Sequence, residues 1–225
     1  MGKSNLAKPK LIYVCDSSCG WCYGFSPVIE RLHGELYRQY QFEVLPVGMV
    51  MRNRNGLVQD VLSYLKWSHK CIEKSTNIRF GEDFLNKALK EGKVTMDSYK
   101  PAIAMTVFRS YQPKKLINFS IYLQKAIFFN GMDPSNWSSY EQCAEDHNID
   151  GVEFVECMKT LHYQRVTNKT IKKARRLNVS QFPTIVLEKG GKTTTISEGY
   201  LGYDALRQRI EKEQFSEEAV KRRAY

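Results

Sequence analysis

Apolar residues first gather at Leu11-Ile12-Tyr13-Val14, a β-branched and aromatic run that predicts a buried strand. Asp16-Ser17-Ser18 supply turn and cap formers. From Cys19 onward the apolar period changes, with Phe25, Val28, Ile29, Leu32 and Leu36 at helical spacing. A second strand, Phe42 to Val47, follows closely enough to complete a strand–helix–strand unit. A long tract then reads as successive helices: about Gly56 to Lys74, Glu82 to Lys90, Asp97 to Tyr111, Pro113 to Phe129, Ser139 to His147 and Gly151 to Tyr163. Turn signals at the Gly92 region, Asn130-Gly131 and Asp133-Pro134 punctuate it. Strand character returns at Thr184 to Leu187 and, across Gly190-Gly191, at Thr193 to Ser197, which predicts a hairpin. A final amphipathic helix begins near Asp204 with Leu206 and Ile210 on one face, and the charged residues from Phe215 to Tyr225 read as a frayed or loosely docked tail. The order is β-α-β, a helical block, then β-β-α, without internal repeat or heptad run.

Composition narrows the class. The chain has 225 residues, 42% of them hydrophobic and 26% charged, so it can bury a proper core. No stretch approaches the roughly 20 apolar residues that cross a bilayer. Met1 to Lys10 carries lysines without the apolar run of a secretory signal, and Leu6 stands where a myristoylation motif wants Ser or Thr. The expected address is cytoplasmic, with no membrane partner. The formal net charge of +10 admits nucleic acid as a partner. The densest basic runs, Lys172 to Arg176 and Lys221 to Arg223, lack the interleaved aromatics of a single-strand groove, so nucleic acid is not expected.

Six cysteines in such a chain are not a disulfide scaffold, and their placement carries the chemistry. Cys71, Cys143 and Cys157 stand apart in helical segments as ordinary small residues, whereas Cys15, Cys19 and Cys22 cluster. Cys19-Gly20-Trp21-Cys22 places two thiols on a first helical turn, where unpaired backbone N–H groups stabilise a thiolate on the first. Cys19 is therefore the expected nucleophile and Cys22 the buried partner that resolves a mixed disulfide. Neither histidine nor lysine lies between them, which favours a reductase or isomerase poise over a strongly oxidising one. Trp21 can serve as an apolar platform for substrate or pack on the helical tract. Cys15 reads as a strand-packing thiol. The four histidines show no paired spacing that would complete a zinc site, so no metal and no other cofactor is expected.

The segment from Asp16 to Phe25 resembles the active-site segment of cytoplasmic members of the DsbA-like branch of the thioredoxin superfamily, with Ser17 where many carry proline. Asn178 to Thr184 resembles that family's cis-proline loop. The resemblance implies an α/β, thioredoxin-like fold with a helical domain inserted between its βαβ and ββα parts. The boundaries fall at 9–54 and 167–214 for the thioredoxin-like domain, 55–166 for the insertion and 215–225 for the tail. It further implies a cis Phe182–Pro183 bond, a Phe182 backbone that pairs with extended substrate, and a Pro183 that packs on the cysteine pair. The implied activity is protein-disulfide oxidoreduction or isomerisation on protein, peptide or small-thiol substrates, with a thiol electron donor of unspecified identity.

Three other readings stay open at this point. Cys15, Cys19 and Cys22 fit the cysteine spacing of radical S-adenosylmethionine enzymes, whose thiolates hold an iron–sulfur cluster. The fold also serves as a non-catalytic adaptor, for which the basic surface would suit an acidic partner. Glutathione-linked transferases and chromene isomerases share the insertion, although they typically place serine at the position of Cys19.

Overall fold

Every residue of β1 (Lys10–Cys15) after Lys10 is buried, as a central strand requires. It leads through a tight loop into α1 (Gly20–Gly24), α2 (Ser26–Leu36) and β2 (Gln41–Pro46). The computed structural model describes residues 8–49, 56–87, 91 and 96–223. Between β2 and the next strand lie α3 (Gly56–Thr76), α4 (Glu82–Leu85), α5 (Tyr99–Tyr111), α6 (Leu116–Phe128), α7 (Ser139–Glu145), α8 (Gly151–Lys159) and α9 (Leu161–Arg175). The hairpin of β3 (Thr184–Lys189) and β4 (Lys192–Glu198) and the helix α10 (Tyr203–Arg223) follow.

These pieces make one four-stranded sheet of order β2-β1-β3-β4. β1 runs parallel to β2 and antiparallel to β3, and β4 closes the hairpin. Strand alternation sends Leu11, Tyr13 and Cys15 to one face, where they meet Ile29 and Leu32 of α2 and Leu206 and Ile210 of α10. Ile12 and Val14 point to the other, against Leu45, Val186 and Ala174 of α9. Helices therefore cover both faces, and the helical tract enters and leaves the thioredoxin-like sheet between its βαβ and ββα parts.

Several boundaries differ from the sequence expectation. The first helix breaks at Phe25, because Pro27 near the start of α2 has no N–H to continue the ladder. The helix expected from Pro113 opens as a 3₁₀ turn, Pro113–Lys115, before α6. The segment expected as one helix to Tyr163 divides at Thr160, whose extended backbone ends α8 and whose hydroxyl accepts the Tyr163 N–H to start α9. α9 escapes a reading by apolar period because its buried face is mostly Thr167, Thr170 and Ala174, with Ile171 the one large aliphatic among them. It runs unbroken through positions 166 and 167. α10 continues as helix to Arg223, through much of the segment expected to fray. The end of the helix expected to reach Lys90, the Gly92 turn, the boundary at 54 and 55, and the Gly2–Leu6 segment lie outside the described residues.

A satellite core ties the tract to the redox helix. Tyr23, next to Cys22, stacks on Phe128 at 5.4 Å and meets Phe80 edge-on at 5.4 Å, while its hydroxyl donates to the Arg79 carbonyl at 2.7 Å. Ile72 of α3 and Phe84 of α4 complete this cluster.

Candidate functional site

The loop from Asp16 to Ser18 is built by its own side chains. Asp16 accepts the Ser18 N–H at 2.9 Å in an Asx turn, and the Cys19 N–H returns to the Asp16 carbonyl at 3.2 Å. Cys19 thereby becomes the extended residue immediately before α1, and Cys22 falls one turn inside it. Cys19, at 8% exposed, lines a surface cleft, whereas Cys22 is fully buried and does not line it. All six cysteines are free thiols.

The two thiols differ electrostatically as well. A hydrogen bond from the Cys22 side chain is the largest influence holding the Cys19 thiol below its ordinary value, with help from the backbone N–H groups of Cys22 and Trp21 and against the cost of burial. Burial pushes the Cys22 thiol well up, and its hydrogen bond to Cys19 adds to the rise. Cys15 is fully buried, and desolvation drives its thiol up too, as expected of a packing residue.

Phe182–Pro183 is cis. Strand register explains its position: Val14 pairs with Thr184, so the preceding Pro183 lies at the end of the sheet from which the redox loop emerges. The Cys19 sulfur approaches the Phe182 carbonyl oxygen at 3.9 Å. The loop is pinned by Thr184, whose hydroxyl donates to the Gln181 carbonyl at 2.5 Å, and by the Ser180 hydroxyl, which donates to Glu198 at 2.9 Å. Gly199 faces it with a φ of +76°, and a Cβ there would stand 3.0 Å from the Gln181 side-chain oxygen.

A cleft of about 790 Å³ opens over Cys19. Trp21, Phe182 and Gln181 line it, as do Met49, Tyr64 and Tyr200, which the sequence reading did not single out. The Trp21 indole N–H donates to the Tyr64 hydroxyl at 2.8 Å, and its ring lies 6.0 Å from that of Tyr200. Trp21 thus faces both the cleft and the helical tract. The only sequence hint at this wall is aromatic residues on the polar side of α3, where Tyr64 is 47% exposed. Among the described residues, no group of three or more His, Cys, Asp or Glu side chains is gathered as a metal-ligand set, Cys15, Cys19 and Cys22 included. No described helix is long and apolar enough to cross a membrane.

A family model described as thioredoxin matches residues 13–203. Among solved structures, the chain is similar to one assigned as a protein disulfide isomerase from Nitrosomonas europaea, with a TM-score of 0.79 and 23% identity, covering 93% of this chain and 99% of that one. It is also similar to the cytosolic disulfide reductase DsbM from Pseudomonas aeruginosa, with a TM-score of 0.76 and 21% identity over 91% of this chain and 98% of that one. The same reductase with GSH gives a TM-score of 0.69 and 20% identity at the same coverage. No curated protein matches the chain. The family match runs from the first strand to the start of the last helix, over a fold that sets a Cys-x-x-Cys beside a cis-proline loop, and the chain belongs to the thioredoxin family.

Proposed function

We propose that the protein is a cytoplasmic thiol-disulfide oxidoreductase in which Cys19 attacks and Cys22 resolves. The observation that carries this reading is the asymmetry of the pair: one thiol is held low and opens on the cleft, the other is raised and sealed beneath it. The Cys19 thiolate attacks a substrate disulfide, and the bond that breaks leaves its electron pair on the first departing thiolate, which takes a proton from solvent. Cys22 then gives up its proton to solvent and attacks the Cys19 sulfur. The mixed disulfide breaks, the second substrate thiol leaves, and a Cys19–Cys22 disulfide remains. A low-molecular-weight thiol of the glutathione class restores the dithiol and is itself oxidised to its disulfide. The resemblance to a cytosolic reductase solved with GSH supports this donor class and the compartment.

The poise is that of a reductase or isomerase, since no cation stands between the cysteines to stabilise the thiolate further. In this reading the Phe182 backbone pairs with an extended protein or peptide substrate, Pro183 packs beside the thiols, and Trp21 forms an aromatic wall with Tyr64 of the inserted tract, taken as 55–166. The test follows insulin or model-peptide disulfide reduction with trapped adducts on a non-reducing gel. Cys19→Ser abolishes turnover and traps nothing; Cys22→Ser attacks and stalls as a mixed disulfide. Full activity in the Cys19 variant, or adducts captured through Cys22 alone, overturns the assignment.

A further inference from the structure

The loop that carries Cys19 is fastened to the helical tract by a buried polar cluster that the exchange reaction does not use. Asp16 is 1% exposed, yet its carboxylate takes three hydrogen bonds: Oδ1 accepts from the Ser18 N–H at 2.9 Å and the Ser98 hydroxyl at 2.6 Å, and Oδ2 from the Met49 N–H at 2.7 Å. Those donors belong to the redox loop, the start of α5 and the segment after β2. The link is reciprocal, because the Ser18 hydroxyl donates back to the Asp97 carbonyl at 2.8 Å. Asp97 is anchored in turn, accepting the Tyr99 N–H at 2.7 Å and pairing with buried Lys100 at 3.6 Å. Acceptance from donors on both oxygens is the pattern of an ionised carboxylate. A buried ion so placed is costly, and its partners must compensate.

We propose that Asp16 is a positioning residue of the redox pair: it clasps the Cys19 loop to the helical tract through Ser98, and its buried negative charge opposes the Cys19 thiolate, biasing the pair toward the disulfide and hence toward reducing its substrates. The proposal rests on the reading of Cys19 and Cys22 as the exchanging pair. Destabilising the thiolate of a reduced pair makes that pair a stronger reductant, the converse of what a stabilised reduced form does. The field at Cys19 supports it, since the Asp16 charge raises that thiol against the hydrogen bonds that lower it. The other ionisable groups that act on Asp16 or feel its charge are the Cys15 thiol on β1 and Asp97, just before α5 and paired with Lys100. Burial pushes the Asp16 carboxyl up, while the Met49, Ser98 and Ser18 donors hold it down.

The test is the pH dependence of Cys19 alkylation by iodoacetamide, resolved by mass spectrometry, together with the reduced fraction of the pair in glutathione buffers. Asp16→Asn keeps the shape and removes the charge. The alkylation midpoint falls by half a pH unit or more, and the equilibrium constant for reduction by glutathione rises at least threefold. Ser98→Ala keeps the charge and cuts the tether, so its midpoint does not fall. If Asp16→Asn does not fold, Asp16→Ser, which retains an acceptor for the Ser18 amide, gives the same fall. An unchanged or raised midpoint without the charge overturns the proposal, and so does an equal fall in Ser98→Ala, which would assign the effect to loosening of the loop. Alkylation of Cys19 needs no substrate turnover, so these outcomes are read separately from failure of Cys19 to form adducts.

Discussion

Gly24, two residues beyond Cys22, seats the redox helix on the inserted tract, and replacing it tests how tightly the two are packed. A Cβ at Gly24 would stand 2.8 Å from Cγ2 of Thr76, 3.0 Å from Cγ2 of Ile72 and 3.2 Å from Oγ1 of Thr76. Carbon atoms pack best at about 3.5–4.0 Å, so both methyls must retreat by roughly half an ångström. Neither yields easily: both residues are β-branched, Ile72 is fully buried, and the Thr76 hydroxyl is held by the Ile72 carbonyl at 2.8 Å. Overpacking of this kind costs about 1–3 kcal/mol. Alanine's helix preference over glycine returns at most about 1 kcal/mol, and less at the last residue of α1. Gly24→Ala is therefore expected to lose about 1–2 kcal/mol in urea unfolding of the reduced protein, followed by circular dichroism. Thr76→Ser removes the nearest methyl and alone costs about 0.8 kcal/mol. In the double variant the clash is relieved, so its loss falls short of the sum of the single losses by at least about 0.5 kcal/mol. A Gly24→Ala protein as stable as the parent, or a strictly additive double variant, would refute the packing argument.

Phe25→Ala empties a fully buried site between the rings of Tyr13 at 5.9 Å and Tyr200 at 6.3 Å, and is expected to cost about 3–5 kcal/mol in the same assay. Tyr23→Phe leaves the aromatic cluster intact but takes the donor from the Arg79 carbonyl, for a loss of about 1 kcal/mol; a loss above about 3 kcal/mol would mean the hydroxyl does more than that bond. Cys15→Ala is expected to leave peptide-disulfide turnover within about twofold of the parent while lowering stability by about 1 kcal/mol, the outcome for a fully buried thiol whose role is packing. Lost turnover in a protein that still folds would return Cys15 to the redox chemistry.

The sheet was legible because each of its strands carries its own signal: a short apolar run at Leu11 or Thr184, or a glycine turn at Gly190-Gly191. The redox turn was legible for a similar reason, since Asp16 to Cys22 is local and its chemistry is written in residue type. The cis-proline loop came from family resemblance, as nothing local in Gln181-Phe182-Pro183 distinguishes cis from trans. α9 was hidden because threonines occupy its buried face and lysines and arginines crowd the rest. Its start signal is Thr160, a lone cap whose hydroxyl accepts the Tyr163 N–H at 3.4 Å. Tyr64 and Tyr200 could not be read as neighbours of Cys19, nor Ser98 as a partner of Asp16. Strand register and helix packing bring them there from far along the chain, and no periodicity encodes such contacts.

The central claim, an attacking Cys19 over a sealed Cys22, is tested most directly by the rate of alkylation of each cysteine in the fully reduced protein as a function of pH. Only the thiolate reacts, so each rate rises as pH climbs through the thiol's own pKa. For Cys19 the rise is expected below the ordinary thiol value of about 8.5, because Cys22 and the backbone N–H groups favour its charged form. For Cys22 little or no reaction is expected across the same range, because burial both raises and hides it. Alkylation of Cys22 ahead of Cys19, or a Cys19 midpoint at or above that of a free thiol, would contradict the account.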